Sequence, residues 1–380
     1  MKVFLISGWM FLLLAGCGAA VAVEPSATPA ATSTAAVVVT RVPRAVLPAP
    51  SATLPAPTAP PTTPPTAPPA PPPTATPAPV QAEAAYSYPI GQAGQVPGDG
   101  FYMRHGYAVE NTWFNPNHWH AGEDWYRIDG DTAGAEVYAV AAGEVVYVGA
   151  NYPGRVVIVA HPDGLYSMYG HLDPAVAVQV GQQVVRGQLL GTVLRRGDSV
   201  PNHLHFEVRT FYTTTEVNGA APRYPFRCGV NCPPGPGYWP IADPNHPSDM
   251  GWRNATHVLN NRAVAPAAPS DQPTYRAVVV PAQPIRDRLP VLDAVPSAEN
   301  PTPQQVAELM LTPGTRYTVL ETRTGPEDSR ETSALGYLLW YRVQLPDGSA
   351  GWVAALEPFS QDTGSDGRPS GIRFNLLPAP

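Results

Sequence analysis

The 380-residue sequence is short of charge, of cysteine and of long apolar runs. Charged residues make up 14% of it, with 23 Lys and Arg against 30 Asp and Glu, and no basic run is long enough to hold a polyanion. Nucleic acid is therefore excluded as a partner on charge. The long apolar stretch, residues 3–15 behind the single basic Lys2, is too short to span a bilayer comfortably and has the length of a signal-peptide core, so export is expected. Only three cysteines occur, and apart from Cys17 they are the near neighbours Cys228 and Cys232. In an oxidising compartment such a pair closes a small disulfide loop. The alternative, a CxxxC metal site on CGVNC, needs two further ligands, and His246 is the nearest histidine. Amphipathic helical periodicity is also missing from the folded region, which points to an all-β chain.

Proline is abundant, with 49 residues. They are densest in residues 18–85, which hold 18 of them in an Ala, Pro, Thr and Ser segment with almost no aromatic residue or charge; it cannot bury a core and reads as a disordered, polyproline-II-like linker. Extended at about 3.1 Å per residue, it reaches on the order of 190 Å. Ahead of it, Leu14-Ala15-Gly16-Cys17 resembles the bacterial lipobox. The resemblance implies a lipoprotein signal peptide over 1–17 and a lipidated Cys17 holding the chain to the membrane; the other reading is an ordinary secretory signal with an incidental cysteine.

Folded sequence is expected from residue 86. Residues 137–148, 155–160, 165–169 and 204–209 read as short β-branched strands, with Pro162-Asp163-Gly164 as a hairpin turn. Residues 210–262, rich in Pro, Tyr and Trp, read as an extension wrapped on this domain, with no chemistry assigned. Two stretches carry chemistry: His120-Ala121-Gly122-Glu123-Asp124 and His203-Leu204-His205. Alternate side chains of a strand share a face, so His203 and His205 point together while Leu204 and Phe206 pack behind. One of them can bind metal while the other handles protons. The first stretch adds a nitrogen and an oxygen ligand four residues apart, and zinc accepts both in a three-ligand site with its fourth position open.

His120, Gly122 and Asp124, then VYAVAAGEVVYVG over 137–149, Tyr169-Gly170-His171-Leu172, VGQQVVRGQLLG over 180–191 and HLHFEVR over 203–209 follow the order found in the lysostaphin and LytM-like zinc metalloendopeptidases, which the chain resembles. The resemblance implies an antiparallel β-sheet peptidase domain of the duplicated-hybrid-motif type, with zinc in a groove, over 86–265 with its core at 118–209. It implies one Zn2+ held by His120, Asp124 and His205, with His171 and His203 as non-ligand catalytic histidines. Peptidoglycan peptides are the implied substrate, and an extracytoplasmic, lipid-anchored location facing the cell wall follows. His203 is the first choice for the general base and His171 for orienting water or stabilising the oxyanion, but the sequence leaves that assignment open. His105, His118, His161, His246 and His257 are read as structural or surface residues. No HExxH occurs, so Glu123 is read as a supporting or surface group, and Glu207, two residues beyond His205, as a hydrogen-bonding support for it.

Residues 272–358 resemble, in part, the bacterial Src-homology-3-like domain: LTPGTRYTVL over 311–320, then Trp340-Tyr341-Arg342-Val343-Gln344-Leu345, Pro346-Asp347-Gly348 and Gly351-Trp352-Val353. A small β-barrel that aids wall retention is implied. Residues 359–380 are expected to be a disordered or loosely docked tail. Two other functions stay open: a catalytically inactive relative that binds wall or activates another hydrolase, and a lipoprotein acting only as a wall-binding scaffold.

Overall fold

The computed structural model describes residues 86–110, 112, 114–149, 154–214, 216–217, 223–224, 237–262 and 276–379. The expected signal peptide, Cys17, the linker and the Cys228–Cys232 loop lie outside these residues. Those described form one compact unit, nearly all β, with every strand pair antiparallel. The exceptions are a short helix, Ala255–Arg262, and a 3-10 turn at Ala334–Gly336.

The largest sheet runs Leu356–Thr363, Pro369–Phe374, Phe101–His105, Glu123–Arg127, Leu204–Arg209, Tyr166–Leu172, Arg155–Ala160, Gly143–Gly149 and Gln183–Val184, with Trp252–Arg253 added beside Leu204–Arg209. Its middle strands are buried on both faces: Leu204–Arg209 has every residue buried. A three-stranded sheet, Ile90–Gly91, Glu136–Tyr138 and Leu189–Thr192, packs nearby. Seven strands from Arg276–Val279 to Leu377–Pro378 form the remaining large sheet.

Two expectations change. The run 137–148 is two strands, not one: Glu136–Tyr138 pairs with Ile90–Gly91 while Gly143–Gly149 pairs with Arg155–Ala160. The break falls at the small residues Ala141, Ala142 and Gly143, and a Cβ on Gly143 would lie 2.3 Å from the Ala160 carbonyl, so glycine is what lets the chain cross between sheets there. The expected loose tail is instead a hairpin, Leu356–Thr363 with Pro369–Phe374, whose Ile372 pairs with Met103. Its Phe374 ring stacks on Trp125 at 5.4 Å and 7°, one residue from Asp124. Both rings are buried within a core that also takes Tyr341 and Val353 from the seven-stranded sheet. Burial of that much ring surface is what holds a polar-looking segment against the sheet.

Candidate functional site

Part of the site is a row across neighbouring strands of the large sheet, with His120 brought to it from the strand His118–His120, which pairs with Tyr238–Pro240 in a separate two-stranded sheet. His105 pairs with Asp124, Asp124 with His205, and His205 with Gly170. Residues in register point to the same face of a sheet, so this pairing alone aims three polar side chains at one another. Gly122 makes the approach possible: a Cβ there would meet the Phe206 carbonyl at 2.4 Å, Glu207 Cγ at 2.9 Å and His205 Cε1 at 3.1 Å.

His120 Nε2, His205 Nδ1 and an Asp124 oxygen converge, with separations of 3.0 Å between the nitrogens and 3.1 and 3.0 Å from each to Asp124 Oδ1. All three residues are buried. The far nitrogen of each ring is committed: His120 Nδ1 donates to the Gly106 carbonyl at 3.1 Å, and His205 Nε2 to Glu207 Oε1 at 2.9 Å. With those protons placed, three lone pairs face one point, an arrangement that requires a cation at its centre. In the absence of metal a proton fills that need, and Asp124 and Glu207 together overcome burial and push the His205 imidazole up to about 9. Burial lowers His120 below the usual imidazole range. Burial would raise Asp124, but the His120 and His203 rings and its hydrogen bonds hold it well below the carboxylate range. Tetrahedral zinc with nitrogen and oxygen ligands separates them by about 3.3 Å, so this donor set and its spacing fit zinc.

His203 and His171 stand beside the triangle. The His203 ring lies with Nε2 3.7 Å from Asp124 Oδ1, and its Nδ1 donates to the Pro201 carbonyl at 2.9 Å. Burial lowers its pKa, and Tyr126 stacks on it at 4.9 Å and 20°. His171 packs edge-on to His203 at 4.7 Å, from a left-handed backbone with φ 60° that a non-glycine residue adopts only under constraint. The constraint is local: the Leu194 amide donates to the His171 carbonyl at 2.9 Å.

All five expected site residues are thus brought together. Glu207 supports His205 as expected and is itself held by Trp252 Nε1, which donates to Oε2 at 2.8 Å. Burial would raise the Glu207 carboxyl, but Arg209 and the His205 and Trp252 hydrogen bonds keep it ionised. Glu123 is not at the surface: fully buried, it turns to the opposite face and accepts from Thr256 N and Oγ1, both at 2.8 Å. Burial pushes its carboxyl up to about 7 despite these donors. The extension 210–262 reaches the site too, since Tyr238 pairs with His120 and its ring lies 5.3 Å from His120 and 6.4 Å from His205. His161 is structural as expected, bonded to the Ala142 carbonyl and Ser167. His105, read as structural, faces the second oxygen of Asp124 at 3.7 Å. A lone histidine on a strand gives no signal for this; only the register does.

Residues 120–219 match Peptidase family M23. Over 91 residues, 23% of this chain, the sequence is 40% identical to the cell division protein DipM of Caulobacter vibrioides, covering 14% of that protein. Over 87 residues, 22% of this chain, it is 33% identical to the lipoprotein YgeR of Escherichia coli, covering 33% of that protein. Among solved structures it is similar to the antimicrobial peptidase lysostaphin from Staphylococcus simulans, with 17% identity over 76% of this chain and 100% of that one and a TM-score of 0.30. The chain spans a third or less of the length of these curated relatives.

Proposed function

From the match of residues 120–219 to peptidase family M23, we propose that this chain is a zinc-dependent endopeptidase that hydrolyses peptide bonds of peptidoglycan outside the cytoplasm. The observation that carries the reading is the convergence of three lone pairs from His120, Asp124 and His205 beside two imidazoles that are not ligands. His120 Nε2, Asp124 Oδ1 and His205 Nδ1 hold the zinc, which when bound polarises the scissile carbonyl and acidifies water. His203 is the general base. Its Nδ1 proton is spent on Pro201, so Nε2 carries a lone pair, and burial keeps the ring neutral at working pH. Tyr126 holds the ring plane, so the proton it accepts is carried in a fixed direction to the leaving amine. His171, set at right angles to His203, donates to the developing oxyanion. Cys17 is the lipid anchor, residues 18–85 the tether into the wall, Cys228 and Cys232 a disulfide, and the strands of 272–358 an SH3-like wall-retention module.

The competing reading is an inactive wall-binding or activating protein, and the intact set of five residues weighs against it. The test is release of new amino groups from purified peptidoglycan by residues 86–380, with and without a zinc chelator. Release is expected to be abolished by the chelator and cut at least about 100-fold by His203→Ala with zinc still bound. His205→Ala is expected to lose the metal itself. No release from any wall type by zinc-loaded, folded protein overturns the enzyme reading.

A further inference from the structure

The C-terminal hairpin places one carboxylate, Asp362, where two lines of contact from the site meet. Along the first, the His105 ring lies between two acids, with Nδ1 3.7 Å from Asp124 Oδ2 and Nε2 3.5 Å from Asp362 Oδ2. His105 is 3% exposed, and its Nδ1 is a buried nitrogen without a hydrogen-bond partner. Such an atom costs stability unless it serves something, and the acceptor it faces is the Asp124 oxygen that does not point at the ligand triangle. Along the second line, Arg104 grips Asp362 in two-pronged fashion, Nε to Oδ2 and Nη2 to Oδ1 at 3.2 Å. The same guanidinium lies 5.6 Å over the Tyr126 ring, which stacks on His203 and has the Tyr102 ring 6.1 Å away on another side. Asp362 therefore reaches a ligand through His105 and the base through Arg104 and Tyr126.

We propose that Asp362 is a positioning residue of the metal centre, setting the ligand Asp124 through His105 and the His203 ring through Arg104 and Tyr126. This rests on the peptidase reading for the role of His203 but not for the effect on metal. The hairpin is built to place this acid. Ser370 Oγ donates toward the carbonyls of Arg104 and Asp362, at 3.2 and 3.1 Å, and the Gly106 amide donates to the Ser370 carbonyl at 2.9 Å. Gly371 admits the close strand contact, since a Cβ there would sit 3.0 Å from the carbonyls of Met103 and Arg104. Partners behind a ligand fix its orientation and typically change metal affinity 10- to 100-fold.

The experiment measures zinc affinity by chelator competition on residues 86–380 and on Asp362→Ala, Asp362→Glu, His105→Ala and Tyr102→Phe. Tyr102 serves as the control, because its hydroxyl ties the same hairpin through Gln361 at 2.7 Å without touching the Asp362 contacts. Asp362→Ala and His105→Ala are expected to weaken zinc about 10-fold or more, Asp362→Glu to recover part of the loss, and Tyr102→Phe to leave affinity unchanged. On peptidoglycan, zinc-saturated Asp362→Ala is expected to lose kcat with little change in KM. Unchanged zinc affinity in folded Asp362→Ala overturns the proposal, and so does an equal loss in Tyr102→Phe, which would mean the hairpin acts only as general support. Failure of the wild-type protein to bind zinc would instead strike at the peptidase reading.

Discussion

A single hydrogen atom decides whether His120, Asp124 and His205 can meet. Gly122 sits under His205 with no room for a methyl group, since the Phe206 carbonyl and Glu207 Cγ would both lie inside contact distance. Gly122→Ala is therefore expected to destabilise the fold by about 1–3 kcal/mol and to weaken zinc at the same time, read by a denaturant midpoint and a zinc titration. The residue scale is also where the sequence was most legible. His203 and His205 alternate on a strand, and His120, Gly122 and Asp124 sit in a spaced motif, so local period and chemistry sufficed to find them. His105, Trp252 and Tyr238 were not legible, because each acts through a partner distant in sequence and none carries a motif. Glu123 shows the same limit, because its buried setting depends on Thr256, 133 residues further on.

Among the elements, the helix Ala255–Arg262 has an outsized role for eight residues. Its His257 donates through Nδ1 to the Pro326 carbonyl at 2.7 Å and accepts at Nε2 from the Leu338 amide at 3.0 Å, so the neutral ring bridges two loops. Burial lowers its pKa to about 4. Because the unfolded ring titrates near 6.5, the unfolded chain binds the proton first as pH falls. The stabilisation is present above about pH 6.5 and is lost on acidification toward 4, worth on the order of 3 kcal/mol across that window. Urea unfolding at pH 7.5 and 4.5 is expected to show this loss, and His257→Gln to flatten the His257 share of the slope. The β-branched strands were readable from composition, but the hairpin at 356–374 was not. Its sequence, with Asp366-Gly367-Arg368-Pro369 at the turn and polar residues along Ser360-Gln361-Asp362-Thr363, resembles a tail because its buried apolar side chains are few, Leu356, Ile372 and Phe374, and its pairing partner is a strand far back in the chain.

For the whole molecule, the sheet that carries Asp124 and His205 ends in the hairpin at 356–374, and one core joins both large sheets. Unfolding of residues 86–380 is therefore expected to be one cooperative calorimetric transition rather than two. Phe374→Ala is expected to lower stability by about 3–5 kcal/mol and to shift that transition as a whole, although the substitution lies outside the segment matching the peptidase family. Two melting steps, with Phe374→Ala moving only one, would show that the sheets are independent. All-β architecture was readable in advance; this sharing of strands was not, because no local pattern reports which distant strand will lie alongside. The shared sheet also fixes an order of events during synthesis. A ribosome completes His120, Asp124 and His205 long before it makes residues 356–374, so the growing chain carries that cluster before the strand pair that lies beside Phe101–His105 exists. A chain interrupted before residue 356 would carry the whole family-matching segment, 120–219, without the hairpin that borders its sheet.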